Sequence, residues 1–374
     1  MLAGMIYNTY GQTGIDVSAI GFGGMRFPET ASEETCAGLV KTAYDAGINY
    51  FDTAPGYGRS EDLFGLAFRD MLRTREQRPF YVSTKSMKAE PGEIRRDVET
   101  SLRRMGLEHI DFLHVWCILS LEAFHHRRER GALKEFEKLH DEGLARHIVV
   151  STHMPGRDIG EMLRAYPFAG VLLGYSASNF AYREAGIEAA AELGRGVVCM
   201  NPLGGGTIPR HPERFVFVQT RPDETIVQGA LRFLLDDPRI TVALVGIDTQ
   251  EHLHEALGAA APHEPLSDDG RAGIRESLQD AFNELCTGCS YCNRCPQNIP
   301  IPKYMEACNH WLLSGDPQQM LNRLRYHWGI GLEDDALERC TDCGQCEDAC
   351  TQHLPIRARL RQIREEVQKA RAAG

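Results

Sequence analysis

The 374-residue chain lacks any apolar run approaching the roughly 20 residues that a membrane-crossing helix needs. Its opening stretch, MLAGMIYNTYGQTG, lacks the basic start, apolar core and small-residue cleavage site of a secretory leader. The expectation from these two absences is a cytoplasmic protein without a membrane span. A basic excess is also missing. The formal net charge is −11, which argues against nucleic acid as a partner. No G-x-G-x-x-G follows the first candidate strand, which weakens an open, doubly wound sheet as the fold. Hydrophobic residues make up 43% and charged residues 25%, the balance of an ordinary globular chain. The length suggests two units, one of them large.

Cysteine is abundant and unevenly placed. Of the 12 cysteines, Cys36, Cys117, Cys199 and Cys308 are scattered, and the other eight crowd into two runs. The first run is Cys286-x₂-Cys289-x₂-Cys292-x₂-Cys295-Pro296, and the second is Cys340-x₂-Cys343-x₂-Cys346-x₃-Cys350. In a cytoplasmic protein such clusters read as metal ligands rather than disulfides. Three thiolates at successive x₂ spacing can wrap three corners of a cuboidal iron–sulfur core, with a fourth ligand from elsewhere. In two-cluster ferredoxins that fourth ligand comes from the other run. By that logic Cys286, Cys289, Cys292 and Cys350 hold one [4Fe–4S] cluster, and Cys340, Cys343, Cys346 and Cys295 hold the second. Structural zinc is the alternative. It usually pairs one C-x₂-C with another a dozen or more residues away, and fits these runs less well. Thr351 stands where ferredoxin runs usually have proline. The residues between the runs show helical spacing over Lys303–Leu313 and Gln318–Tyr326. That long insert resembles the helical ferredoxin domains of fumarate-reductase-type subunits.

Upstream, eight short apolar runs alternate with helical patterns. The candidate strands are Val17–Gly21, Asn49–Asp52, Phe80–Lys85, Ile110–His114, His147–Ser151, Gly170–Gly174, Val197–Met200 and Thr241–Gly246. Helical spacing covers Ser32–Ala46, Glu93–Met105, Leu133–Glu142, Arg183–Leu193 and Thr225–Leu235. This alternation implies a parallel sheet, and eight units over about 250 residues match a closed (β/α)₈ TIM barrel. Pro262–Asp269 reads as a linker and Arg271–Leu285 as a connecting helix. The expected organisation is an α/β barrel over 1–260, a connection over 261–285 and a small, mostly helical ferredoxin-like domain over 286–374.

The second candidate strand runs into Phe51-Asp52-Thr53-Ala54-Pro55-Gly56-Tyr57-Gly58-x-Ser60-Glu61, and Ser83-Thr84-Lys85 ends the third. These residues form a proton-donor constellation. Hydride addition to a carbonyl needs a proton for the developing alkoxide, and tyrosine, with a pKa near 10, cannot supply it freely at neutral pH. A lysine ammonium beside it stabilises the phenolate, and a carboxylate keeps that lysine charged and oriented. Asp52, Tyr57 and Lys85 provide those parts. The two motifs, with the opening Tyr7-x₂-Tyr10-Gly11-x-Thr13-Gly14, resemble the aldo-keto reductases over residues 1 to about 260. The resemblance implies a catalytic Asp52, Tyr57 and Lys85, and a histidine five residues beyond Asp111. Here that position is Trp116, and the histidine is His114, two residues earlier and about 6.6 Å deeper along the strand. His114 is carried as a fourth catalytic or substrate-binding candidate, against a buried, hydrogen-bonded histidine.

The resemblance also implies nicotinamide binding. Met200-Asn201-Pro202-Leu203-Gly204-Gly205 looks like the family's pyrophosphate loop. Ser151-Thr152 resembles the Ser-Asn pair that holds the carboxamide. The segment from Gly246 to Glu255 resembles the adenosine-binding stretch, with Glu255 at the adenine. Asp248 stands where relatives that prefer NADPH often carry a basic residue, so NAD(H) and NADP(H) both stay open. The residues do not exclude a flavin at the barrel mouth.

The expected function is an oxidoreductase acting on a small carbonyl or alcohol, with its barrel chemistry coupled to electron transfer through the clusters. Two alternatives stand beside it: a plain NAD(P)H-dependent carbonyl reductase with structural or sensing clusters, and a non-catalytic redox or docking module. An electron-carrier protein is an expected partner. The basic stretch Ile356–Arg371 is either its docking patch or a solvated helix face. Ser120–Arg130, with His125, His126, Arg127 and Arg128, reads as a basic loop that either meets an anionic substrate or is merely solvated.

Overall fold

The computed structural model describes residues 4–178, 183–277 and 284–373. The chain divides into two compact units. One runs to Leu203 and resumes over Val216–Ser277; the other combines Gly204–Phe215 with the chain beyond residue 277.

The first unit opens with a hairpin of β1 (Tyr7–Thr9) and β2 (Asp16–Ser18). Eight parallel strands follow in chain order: β3 (Ile20–Gly23), β4 (Tyr50–Asp52), β5 (Tyr81–Ser86), β6 (Ile110–Ile118), β7 (Ala145–Thr152), β8 (Gly170–Gly174), β9 (Gly196–Met200) and β10 (Val242–Gly246). They close into a barrel, because β10 pairs back onto β3. The strands are short, nearly continuous buried runs, as parallel strands covered by helices must be. The connecting helices carry their own stop and start signals. Ser32 caps Glu33–Asp45 by accepting from the Thr35 N–H, and Thr225 and Gln228 form a capping box at Ile226–Leu235.

The lower half of the barrel is filled by rings. Tyr10 packs on Phe112 at 4.2 Å between centroids, with Tyr50, Val149, Leu172, Val198 and Val242 around it. Gly196 is required there, since a Cβ would meet the Tyr10 ring at 2.4 Å. The apolar floor leaves the C-terminal ends of the strands to polar side chains, the face on which barrels of this kind carry their sites.

Each of the eight expected strands overlaps a barrel strand. The first one, Val17–Gly21, straddles β2 and β3, which are separated at Ala19. Ser120–Arg130 is corrected from loop to helix. Ser120 accepts from the Ala123 N–H and caps Leu121–Glu129. That helix buries only Phe124, so it lacks the apolar stripe by which helices are recognised in sequence. The expected connecting helix begins earlier and ends earlier, at Asp268–Glu276 with Ser267 as its cap. Residues 278–283 lie outside the described residues, and Leu285 is not helical.

In the second unit, the helices Ile301–Ser314, Pro317–Asn322 and Ile356–Ala373 enclose a core of Tyr304, Met305, Met320, Leu324, Ile356 and Ile363. The expected Gln318–Tyr326 helix changes to a π-helical turn over Arg323–His327.

Candidate functional site

Strand register brings four inward-facing polar residues together. Asp52 at the end of β4 lies beside Ser83 of β5, and Lys85 of β5 lies beside His114 of β6. All four are buried. The Lys85 ammonium donates to Asp52 Oδ1 at 2.5 Å and to the Thr53 carbonyl at 2.7 Å. Ser83 Oγ donates to Asp52 Oδ2 at 2.8 Å, and His114 Nε2 lies 2.8 Å from Ser83 Oγ. Burial raises the Asp52 carboxyl and lowers the Lys85 ammonium, and the charge of each partner works against both shifts. Burial and the nearby Lys85 charge push His114 far down, so its ring is neutral at physiological pH. A further layer holds β5 in place: Thr84 Oγ1 donates to the buried Glu61 at 2.9 Å, and Arg104 reaches the same carboxylate at 3.1 Å.

Tyr57 sits in the turn after β4, with its N–H on the Ala54 carbonyl. Its ring lies 5.0 Å from Lys85 Nζ and meets Trp116 edge-on at 5.7 Å. Gly56 makes room for that indole, because a Cβ there would come within 2.9 Å of it. Trp116 gains this position from a bulge. The β6–β7 register shifts between Val115 and Ile118, and Cys117 adopts φ +59°, left-handed for a non-glycine residue. The Trp116 carbonyl accepts from Arg127 at 2.6 Å. On that basic helix His125, His126 and Arg128 face solvent.

The residues expected at a nicotinamide are spread over several strand ends. Ser151 and Thr152 are buried at the end of β7. The Thr152 hydroxyl is turned to the backbone, donating to the Ile118 carbonyl at 2.8 Å and accepting from the Met154 N–H at 3.0 Å. Met200 ends β9, and Asn201 follows at φ +55°, before Pro202 and Leu203. Gly246 ends β10, and Glu255 accepts from Thr225 Oγ1 at 2.9 Å. Gly204 and Gly205 belong to the second unit. A Cβ on Gly205 would meet the Thr287 carbonyl at 2.1 Å, so the close approach of the Cys286–Cys289 loop itself demands a glycine.

In the second unit several of the run cysteines lie near one another. Cys286 has Cys289, Cys292 and Cys350 as neighbours. Cys340 faces Cys346, which in turn lies near Cys292, so the two groups adjoin. Cys343 is exposed, and Cys295 packs at the edge of the same core. Backbone N–H groups reach the sulfurs: Gly288 to Cys286 and Leu354 to Cys350, each at 3.4 Å. Burial raises the thiols of Cys286, Cys292, Cys346 and Cys350, Cys292 to about 12, and neighbouring sulfurs add to the effect. A cationic metal core reverses that bias, so the donor set fits an iron–sulfur cluster. The buried Glu306 carboxylate organises the surrounding chain, accepting from Arg323 and the Trp328 indole and pairing with Arg210 at 3.5 Å. That pairing and the His211–His310 ring contact at 4.7 Å tie Gly204–Phe215 into the second unit. The basic C-terminal helix is largely neutralised within its own unit. Arg357 pairs with Glu347 at 2.7 Å, Arg361 with Asp342 at 3.0 Å and Arg359 with Glu284 at 3.6 Å.

Two family models match the chain. The model described as the aldo/keto reductase family covers residues 19–279. The chain belongs to the aldo/keto reductase family. A 4Fe-4S dicluster domain follows at residues 285–355. This aldo/keto reductase is 27% identical over 298 residues to a protein named L-galactose dehydrogenase from Arabidopsis thaliana, covering 69% of this chain and 89% of that one. It is 26% identical to a probable aldo-keto reductase of Glycine max, over 67% and 83% of the two chains. The fold matches the holo form of an aldo-keto reductase from Bacillus halodurans at a TM-score of 0.62 and 22% identity, covering 74% of this chain and 97% of that one. The chain is therefore an oxidoreductase with a TIM barrel and an iron–sulfur domain. Among the described residues, no helix is long and apolar enough to cross a membrane.

Sequence reading named Ser83 only as part of a motif and missed its place between His114 and Asp52. The available signal was alternation, which turns Ser83 and Lys85 to the same face of β5. Because Asp52 is the counter-charge to a buried ammonium, Asp52→Ala should destabilise the barrel by about 3–5 kcal/mol. Urea unfolding followed by circular dichroism measures this; a loss below about 1 kcal/mol would show that Lys85 does not depend on Asp52.

Proposed function

We propose that this chain is an iron–sulfur aldo/keto reductase that couples barrel redox chemistry on a small carbonyl or alcohol to electron transfer through two [4Fe–4S] clusters. The observation that carries the reading is the adjacency of the two cysteine groups, with Cys292 near Cys346, in a chain that also keeps the Asp52–Lys85–Tyr57 set. A structural metal site needs one group of ligands; two adjoining groups suit an electron relay. Bound nicotinamide would supply or accept hydride, two electrons together, and each cluster would carry one, so the coupling needs a two-to-one electron splitter such as a flavin at the barrel mouth, or a substrate that tolerates a radical.

The chain's own residues do the rest. Tyr57 holds the proton at its hydroxyl and gives it to the substrate oxygen as the alkoxide develops. Lys85, beneath the Tyr57 ring, favours the phenolate that remains. Asp52 keeps Lys85 charged in a buried place. Trp116 stands as an apolar wall over Gly56 and against Tyr57, and so excludes water from one side. Ser151, Thr152, Met200, Asn201, Pro202, Leu203, Gly246 and Glu255 are the barrel residues for the nucleotide, as NAD(H) or NADP(H). Cys286, Cys289, Cys292 and Cys350 hold one cluster, and Cys340, Cys343, Cys346 and Cys295 the other. An electron-carrier protein is the external partner.

Two variants test this reading, using 4-nitrobenzaldehyde and NADPH or NADH as the probe reaction under anaerobic conditions. Tyr57→Phe should cut turnover roughly 10²–10⁴-fold; full activity would remove Tyr57 from the chemistry. Cys343→Ala should impair turnover in a chain whose barrel stays folded. Unchanged turnover in that variant would leave a plain carbonyl reductase with structural or sensing clusters.

A further inference from the structure

The mouth position expected to hold a histidine carries Trp116, while His114 sits two residues deeper on β6, beside Lys85 and across β5 from Asp52. Both carboxylate oxygens of Asp52 are engaged, Oδ1 by Lys85 and Oδ2 by Ser83. An ionised carboxylate only accepts, and Ser83 has a single hydroxyl proton. With Ser83 Oγ 2.8 Å from Oδ2, that proton must lie between the two oxygens, because two bare oxygens at this distance repel. Ser83 Oγ is then left as an acceptor towards His114, 2.8 Å away. A neutral imidazole can fill that role only with its proton on Nε2. Its buried Nδ1 closes no hydrogen bond.

We propose that His114 is a positioning residue, which as the Nε2–H tautomer orients the Ser83 hydroxyl and through it fixes the Asp52 carboxylate against Lys85. This rests on the reading of Asp52, Lys85 and Tyr57 as the reacting set. In that arrangement His114 never touches the substrate and does not titrate in the working range. Its effect is to keep Asp52 ionised in spite of burial. The other titratable groups around Asp52 are Lys85 on β5, Tyr57 in the following turn, Tyr50 on β4 and Tyr10 beneath it, with Glu61 beyond Lys85. Tyr50 and Tyr10 stay protonated, because burial and then neighbouring groups, Asp52 among them, raise both.

The sign of the pH effect follows. Removing a donor from the charged form of Asp52 raises its pKa in the folded state, so activity is lost at a higher pH as pH falls. The acid limb of kcat for the 4-nitrobenzaldehyde probe should therefore move up by about 1 pH unit in Ser83→Ala, on the scale of one hydrogen bond to a charged group. His114→Leu, which removes only the group that orients Ser83, should move it in the same direction by less, and Ser83→Ala carries the test if His114→Leu does not fold. His114→Gln keeps an N–H donor and should restore the limb towards its original place. An unmoved limb in folded His114→Leu or in Ser83→Ala would overturn the proposal. A second readout needs no substrate: in ¹⁵N-histidine correlation spectra near pH 7, the imidazole lost in His114→Gln should be a neutral Nε2–H ring. An Nδ1–H ring or an imidazolium would overturn the proposal even if the probe reaction itself proved to be the wrong chemistry.

Discussion

The ion pair between Asp52 and Lys85 is the constraint on which the barrel site depends. Neither charge is tolerable alone at that depth, and a contact of 2.5 Å, backed by the Thr53 carbonyl on Lys85 and the Ser83 hydroxyl on Asp52, is what makes the pair stable. Much of the surrounding structure serves it. The β4–β5 register sets Ser83 beside Asp52, the Thr53 carbonyl takes a second ammonium proton, and the ring-filled floor below keeps water out. The pair also sets a positive charge 5.0 Å from the Tyr57 ring, the position on which the proposed role of Tyr57 depends.

The iron–sulfur unit solves a related problem with different chemistry. Crowded, buried thiols resist ionisation, and a cationic core relieves them. The surrounding fold is small, so it is held by a buried carboxylate hub at Glu306 as well as by apolar packing. That hub gathers cations from separate helices and from the Gly204–Phe215 segment, whose membership of this unit no local pattern announces. Most of the basic charge on the final helix is spent internally, which favours a structural role for it over a docking patch.

Much of this was legible in the sequence. The eight strands showed as buried runs because parallel strands covered by helices have no polar face to hide them. The spacing of Asp52 and Tyr57 and the two cysteine runs are local, so they survive without knowledge of register. What escaped depends on contacts between strands or on backbone geometry. Ser83 joins His114 to Asp52 only once three strands are aligned. The bulge at Cys117, which aims Trp116 at Tyr57, uses a positive φ without the glycine that would have marked it. The helix Leu121–Glu129 buries one side chain and so has no period to detect.

The central claim, that barrel chemistry and clusters form one redox system, is most directly tested on anaerobically purified protein. Iron and sulfide are counted, and the protein is then titrated with NADPH and NADH while visible absorbance and electron paramagnetic resonance are followed. The account predicts about eight irons, with reduced-cluster signals appearing as nucleotide is added. Eight irons that stay oxidised under both nucleotides, beside normal carbonyl reduction, would contradict it.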